Sequence, residues 1–172
     1  LIEHCSKPLI LDADALNCIS VCPSLLKKRI GETLLTPHPG EMARLTKKSI
    51  QEIEENREKV VLDFCSEFGV NLLLKGHETI VCNSSADRLY INKTGNTGLA
   101  KGGSGDLLSG IITGLTPFMN GNLFDVAGLG AFVHGLCADI LKSELSEYGM
   151  LPSDCAAALP RAYSMIEKGG NN

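Results

Sequence analysis

Apolar positions fall in short runs separated by polar turns along this chain. PLILD at 8–12 is continuously apolar and ends in a carboxylate, the pattern of a buried parallel strand with a polar carboxyl end. TLLT at 33–36 predicts another short strand, closed by Pro37-His38-Pro39-Gly40. Between them, SLLKKRI at 24–30 predicts a short helix with Ser24 as its N-cap. SIQEIEENREKVVLDFCSEFG then places Ile50, Ile53, Val60, Val61, Phe64, Cys65 and Phe68 on one helical face, and Gly69 ends the helix. VNLLL at 70–74 follows as a fully buried strand, and Thr79–Cys82 with Arg88–Asn92 form a hairpin around NSSADR.

Three more helices follow a glycine-rich stretch. The first, from Asp106 to about Leu115, turns Leu107, Leu108, Ile111, Ile112 and Leu115 to a core. The second, from Phe124 to about Leu145, is apolar on much of its circumference and carries Gly128, Gly130 and Gly135 for close packing. The last follows Pro152-Ser153-Asp154. Strands alternating with helices predict an α/β layered fold with a mostly parallel sheet, a single domain over residues 1–172.

TGNTGLAKGGSGDLLSGIITGL, residues 94–115, holds seven glycines in 22 positions. Glycine costs conformational entropy, so such density needs a reason. A helix start leaves backbone N–H groups unpaired at a positive dipole end, and glycines ahead of it let a phosphate oxygen approach them. The spacing is neither G-x-G-x-x-G nor a phosphate loop with Lys-Ser/Thr after the glycines. Asp106 would repel a phosphate unless it faces an acceptor hydroxyl and takes its proton; the plain alternative is a first-turn carboxylate that stabilises the helix dipole.

Composition narrows the classes. Sixteen basic against 20 acidic residues, with Lys27-Lys28-Arg29 the longest basic run, exclude a nucleic-acid binder. Cys5, Cys18, Cys22, Cys65, Cys82, Cys137 and Cys155 never form C-x-x-C and fall mostly in apolar stretches, as buried thiols in a reducing compartment do. No signal peptide and no unbroken apolar segment of membrane-spanning length stands out, so a cytoplasmic protein without a membrane partner is expected. His134, inside AFVHGLC, reads as a hydrogen-bonded core histidine. The chain starts without methionine and runs almost at once into a strand, as if from inside a domain.

GGSGD at 102–106, with LDADAL at 11–16, LLTPHPGEMARL at 34–45, LLKGHETIV at 73–81 and LPSDCAAALPRAY at 151–163, resembles the NAD(P)H-hydrate dehydratases of the ribokinase-like superfamily. The likeness is to the C-terminal domain of the bifunctional nicotinamide nucleotide repair enzymes, and it runs nearly end to end. It implies a ribokinase-like fold whose early strands, upstream of LDADAL, are absent from this chain. It implies Asp106 as catalytic base at the substrate's hydroxyl and His38 as a contact of the hydrated nicotinamide. On residues alone, His38 between two prolines reads as an exposed turn residue. Lys75, Gly76, His77, Glu78 and Thr79, with Gly105, fall at the adenine nucleotide site, His77 and Glu78 mainly through backbone. Asn96, Gly102, Gly103 and Ser104 complete the nucleotide loop. Glu41 sits where related kinases keep an acidic residue near magnesium, reached through water. Thr97 departs from a position often held by proline.

The resemblance further implies an adenine nucleotide, ADP or ATP, as co-substrate with Mg2+, and hydrated NADH or NADPH as substrate. A small-molecule kinase acting on a thiazole or pyrimidine alcohol shares the G-x-G-D logic, although TPHPGE disfavours it. A truncated nucleotide-binding module without activity is the other alternative. A homo-oligomer through the glycine-bearing helix from Phe124, and an upstream segment or epimerase domain, are partners left open.

Overall fold

A computed structural model describes residues 2–120 and 122–169. It packs as two compact units, one running to Asn92 and including Thr116–Gly128, the other comprising Lys93–Leu115 and the chain from Leu129 onward.

The first unit contains a five-stranded sheet in chain order: β1 (Leu9–Leu11), β2 (Thr33–Leu35), β3 (Asn71–Leu74), β4 (Ile80–Cys82) and β5 (Leu89–Ile91). β1, β2 and β3 are parallel, with Leu11 opposite Leu35 and Leu35 opposite Leu72. β4 opposes both neighbours, so four of the five strands point one way. The parallel strands end on one edge of the sheet, which brings Asp12, His38 and Lys75 to the carboxyl side where α/β proteins bind ligands. Leu34, Leu35, Leu72, Leu73 and Leu74 are all at 0% exposure. Continuous apolar runs are what burial on both faces requires.

The helices of this unit depart from expectation in three places. Of SLLKKRI only residues 24–28 are helical, in a 3-10 helix, Pro23–Lys28, preceded by Cys22 and followed by an extended Arg29; Pro23 occupies the first turn, so Ser24 is inside the turn and not its cap. The long helix over 50–69 is broken into α3 (Ile50–Glu55) and α4 (Arg57–Phe68), because Asn56 adopts φ −136 and ψ 37. Ile50 is consequently 54% exposed, whereas Ile53, Val61 and Phe64 enter the core beside β3 and β4. Gly69 ends α4 in the left-handed conformation, as its type predicts. Two helices were not anticipated, α1 (Asp14–Ile19) and α2 (Pro39–Thr46).

The second unit is helical: α5 (Ser104–Leu115), most of α6 (Leu123–Gly149) and α7 (Pro152–Gly169). Ile111, Val133, Cys137, Ile140, Leu141, Met150, Cys155 and Ala158 form its core. Non-helical Ser146 (φ 57) interrupts α6 one residue after the expected end. By length and composition alone α6 could cross a membrane, which corrects the expectation that no such segment exists, but 67% of its apolar stretch is buried within the chain. The Gly130 and Gly135 positions do serve close packing: a Cβ would lie 2.6 Å from Ile112 and 2.2 Å from Thr94. All seven cysteines are free, with Cys65, Cys82, Cys137 and Cys155 buried and Cys18 and Cys22 exposed. His134 is 7% exposed, and its Nε2 has no hydrogen-bond partner, which corrects the expected satisfied core histidine. Burial alone lowers its pKa to about 4.

Candidate functional site

In the first unit, functional groups gather where the parallel strands end. Lys75 N donates to Pro37 O at 2.8 Å and Thr36 N to Leu11 O at 3.1 Å, so the three strand exits are tied together by backbone. Lys75 Nζ lies 2.8 Å from Asp12 Oδ1 and 3.6 Å from Glu41 Oε2. One ammonium thus stands between two carboxylates, and Glu41 is only 6% exposed.

His38 caps α2. Its Nδ1 accepts from Gly40 N at 2.9 Å and Glu41 N at 3.3 Å, while Glu41 Oε2 accepts from His38 N at 2.8 Å. This reciprocal capping box, with Pro39 at the first helical position, is why the chain turns sharply into a helix here. Because Nδ1 is an acceptor, the proton of the neutral ring belongs on Nε2. The His38 side chain is 52% exposed, so that N–H is available to a ligand. Glu41 is occupied by the cap and by Lys75. Among the described residues no three His, Cys, Asp or Glu side chains converge to hold a metal ion.

The KGHET turn follows directly. Gly76 has φ +145 and Glu78 φ +53, a left-handed conformation that costs a glutamate about 1 kcal/mol. Thr79 Oγ1 closes the turn on Gly76 O at 3.1 Å. A Cβ on Gly76 would lie 2.8 Å from the guanidinium of Arg57. That side chain is 15% exposed, pairs with Glu54 at 3.1 Å and reaches Leu74 O at 3.4 Å. A cleft of about 530 Å³ is lined by the α3–α4 break and by His77, Glu78, Ile80 and Ile91.

In the second unit, Gly102 and Gly103 lead into α5. A Cβ at Gly102 would meet nothing within 4 Å, and at Gly103 (φ +91) only the Pro152 side chain at 3.5 Å. Crowding within the chain demands neither glycine; the positive φ of Gly103 favours glycine on backbone grounds, and Gly102 leaves the approach to the helix start open. Leu107 N is bonded to Gly103 O at 3.0 Å, so the N–H groups of Gly105 and Asp106 precede the helical ladder. Ser104 is 7% exposed and its Oγ has no hydrogen-bond partner. A buried hydroxyl left unpaired costs about 1–3 kcal/mol, so Ser104 Oγ at this helix start has a proton to give to an incoming acceptor. Asp106, two residues on, is exposed. Asn96 directs its side chain inward to the loop: Oδ1 accepts from Gly98 N at 3.0 Å and Nδ2 donates to Asp139 Oδ1 at 3.0 Å.

Asp12, Arg57, Lys101 and Asp139 escaped sequence reasoning. Asp12 had a signal, a carboxylate at the end of a buried strand. Arg57 and Asp139 had none, because each acts on backbone distant in sequence.

A parallel-led sheet with polar groups at its strand exits, together with a glycine-led helix start, defines the ribokinase-like class. The fold matches a ribokinase-like superfamily protein from Enterococcus faecalis with TM-score 0.71 and 28% identity, over 88% of this chain and 50% of that one. Within that class the chain belongs to the NAD(P)H-hydrate dehydratase family, which matches residues 1–161. It is 38% identical over 171 residues to the ADP-dependent (S)-NAD(P)H-hydrate dehydratase of Neisseria meningitidis, covering 98% of this chain and 57% of that protein. The ADP/ATP-dependent NAD(P)H-hydrate dehydratase of Bacillus subtilis, co-crystallised with ATP/Mg2+, matches with TM-score 0.78 and 32% identity, over 95% of this chain and 57% of that one. The chain thus spans a little over half the length of these relatives.

Proposed function

We propose that this protein restores NADH and NADPH from forms hydrated at C6 of the nicotinamide ring, at the expense of an adenine nucleotide. The unpaired, buried hydroxyl of Ser104 at the start of α5 carries the reading. A phosphate oxygen entering over Gly102 and Gly103 would accept from Ser104 Oγ and from the N–H groups of Gly105 and Asp106.

In this reading the terminal phosphoryl group passes to the C6 hydroxyl, whose proton Asp106 takes. The phosphate ester is a good leaving group where hydroxide is not. Its departure from C6, with loss of the C5 proton, restores the ring double bond. The products are NAD(P)H, inorganic phosphate, the shortened nucleotide and one proton. His38 offers its Nε2 N–H to the hydrated nicotinamide, and the KGHET turn borders the nucleotide. Magnesium would travel on the nucleotide phosphates, with Glu41 reached only through water, and supply charge neutralisation there. The dehydratase names of the relatives support this reading over a kinase that keeps its phosphorylated product. Buried free thiols at Cys65, Cys82, Cys137 and Cys155 suit a reducing cytoplasm.

The test incubates the protein with hydrated NADH, Mg2+ and either ADP or ATP, and follows the absorbance of the reduced nicotinamide together with inorganic phosphate. Nucleotide-dependent recovery with phosphate released in equal amount is expected, and the preferred nucleotide identifies the donor. Phosphorylated hydrate accumulating without recovery would replace the dehydratase with a kinase.

A further inference from the structure

The segment that leads into GGSGD hangs on one face of α6. Thr94 Oγ1 donates to Phe132 O at 2.9 Å, and the backbone of Thr94 passes over Gly135, where a Cβ would lie 2.5 Å from its carbonyl carbon. Asp139 comes next on the same face, seven residues after Phe132 and four after Gly135. Its Oδ2 accepts from Gly95 N at 2.8 Å and its Oδ1 from Asn96 Nδ2 at 3.0 Å. Farther along, Thr97 Oγ1 bonds Glu147, and Lys101 Nζ donates to the carbonyl oxygens of Glu147, Tyr148 and Met150 at the end of α6. The Lys142 ammonium, and then the Thr97 hydroxyl, hold the Glu147 carboxyl below the ordinary carboxylate range.

We propose that Asp139 is the positioning residue of the glycine-rich loop: its carboxylate fixes the polarity of the hydrogen-bond chain that shapes residues 95–98 and so aims Gly102–Asp106 at the nucleotide. The inference rests on the reading of that loop as the phosphate site. The chain has one direction. Gly95 N and Asn96 Nδ2 both donate to Asp139, and Asn96 Oδ1 is thereby turned to accept from Gly98 N at 3.0 Å. Only a group with two acceptors and no donor completes it, which an ionised carboxylate is and an amide is not.

In Asp139→Asn one amide donor must face another donor: Asn96 Nδ2 in one orientation, Gly95 N in the other. Flipping Asn96 relieves the first clash only by turning its NH2 onto Gly98 N. In Asn96→Asp two carboxylates meet. In the double variant Asp139→Asn/Asn96→Asp every group is paired again, with the amide at 139 accepting from Gly95 N and donating to the carboxylate at 96, which also accepts from Gly98 N. The pair should therefore fail singly and recover together.

The experiment measures amide hydrogen exchange at Gly95 and Gly98, the dissociation constants of ADP and ATP, and the urea midpoint, in wild type, both single variants and the double variant. Each single variant should exchange both amides faster and bind nucleotide about tenfold more weakly, the equivalent of one hydrogen bond. The double variant should return to within about threefold of wild type. A merely structural role for Asp139 would move the urea midpoint and leave nucleotide affinity alone. Singles that bind as wild type does, or a double variant whose losses add, overturn the proposal. If the wild-type chain holds neither nucleotide, the proposed function fails, and the role in nucleotide aiming falls with it. The exchange rates then still decide whether Asp139 shapes the loop. A single variant that does not fold while the double variant does also supports the pairing.

Discussion

Lys75 Nζ meets Asp12 Oδ1 at 2.8 Å, across 63 positions of sequence. The two side chains are only 19% and 16% exposed, and the buried carboxylate of Glu41 stands 3.6 Å from the same ammonium. A lysine at the end of a buried strand therefore has a structural duty before any ligand arrives. It stands between two carboxylates brought to the strand exits by β1 and by the α2 cap.

Removing that cation should be costly. Lys75→Met keeps most of the stem but removes the ammonium that faces Asp12 and Glu41, and should lower stability by about 2–4 kcal/mol. Asp12→Asn retains an acceptor for Lys75 and should cost about 1 kcal/mol. Urea denaturation of both variants checks the order; equal stabilities would mean that the charge cluster does not hold the strand exits.

Asp106 stands outside any such network and is exposed at the start of α5. Asp106→Asn should leave the helix and the nucleotide's dissociation constant within about threefold, because the N–H donors are unchanged. Turnover should fall about a thousandfold or more, the range of a lost general base. Single-turnover kinetics with nucleotide saturating separates the two; a variant that turns over as wild type does removes Asp106 from the chemistry.

Local signals were legible where burial or backbone geometry dictated residue type. LLL after Asn71 had to be a doubly buried strand, Gly69 had to end a helix, and GGSGD had to open one. The α2 helix was legible too, since Pro39 after a capping histidine and Glu41 three residues later form a capping signature; the prolines drew attention to a turn instead. The break at Asn56 was not legible, because the apolar spacing of Ile53 and Val60 suits one continuous helix. Only tertiary contacts distinguish the two, with Arg57 drawn to Leu74 O and Gly76. Asp139 was invisible for the same reason: nothing in FVHGLCADI reveals that its carboxylate receives Gly95 and Asn96.

Glycines that look alike in sequence should behave oppositely. Gly135→Ala would place a Cβ 2.2 Å from Thr94 Oγ1 and 2.5 Å from backbone, so the loop or α6 must move, at a cost of about 1–3 kcal/mol and with weaker nucleotide binding. Gly110→Ala meets nothing within 4 Å at an exposed position of α5 and should raise stability by up to about 1 kcal/mol. Thermal melts and nucleotide titrations of the two variants check this; a neutral Gly135→Ala would show that Thr94 does not pack as tightly as its contacts require.

His134 gives the protein an acid limb. Burial holds its pKa at about 4 in the folded chain, against 6.5 for an ordinary histidine, so the unfolded chain takes up a proton that the folded chain refuses. Above the unfolded pKa the difference has no effect. As pH falls from 6.5 toward 4 stability is lost, roughly 2 kcal/mol of it between about pH 7 and pH 5. His134→Leu removes both the titration and the unpaired Nε2, so near pH 7 it should be neutral or stabilising. Its advantage over wild type should then widen as pH falls to about 5. Urea midpoints at the two pH values measure the difference; parallel losses in the two proteins would assign the acid limb to other groups.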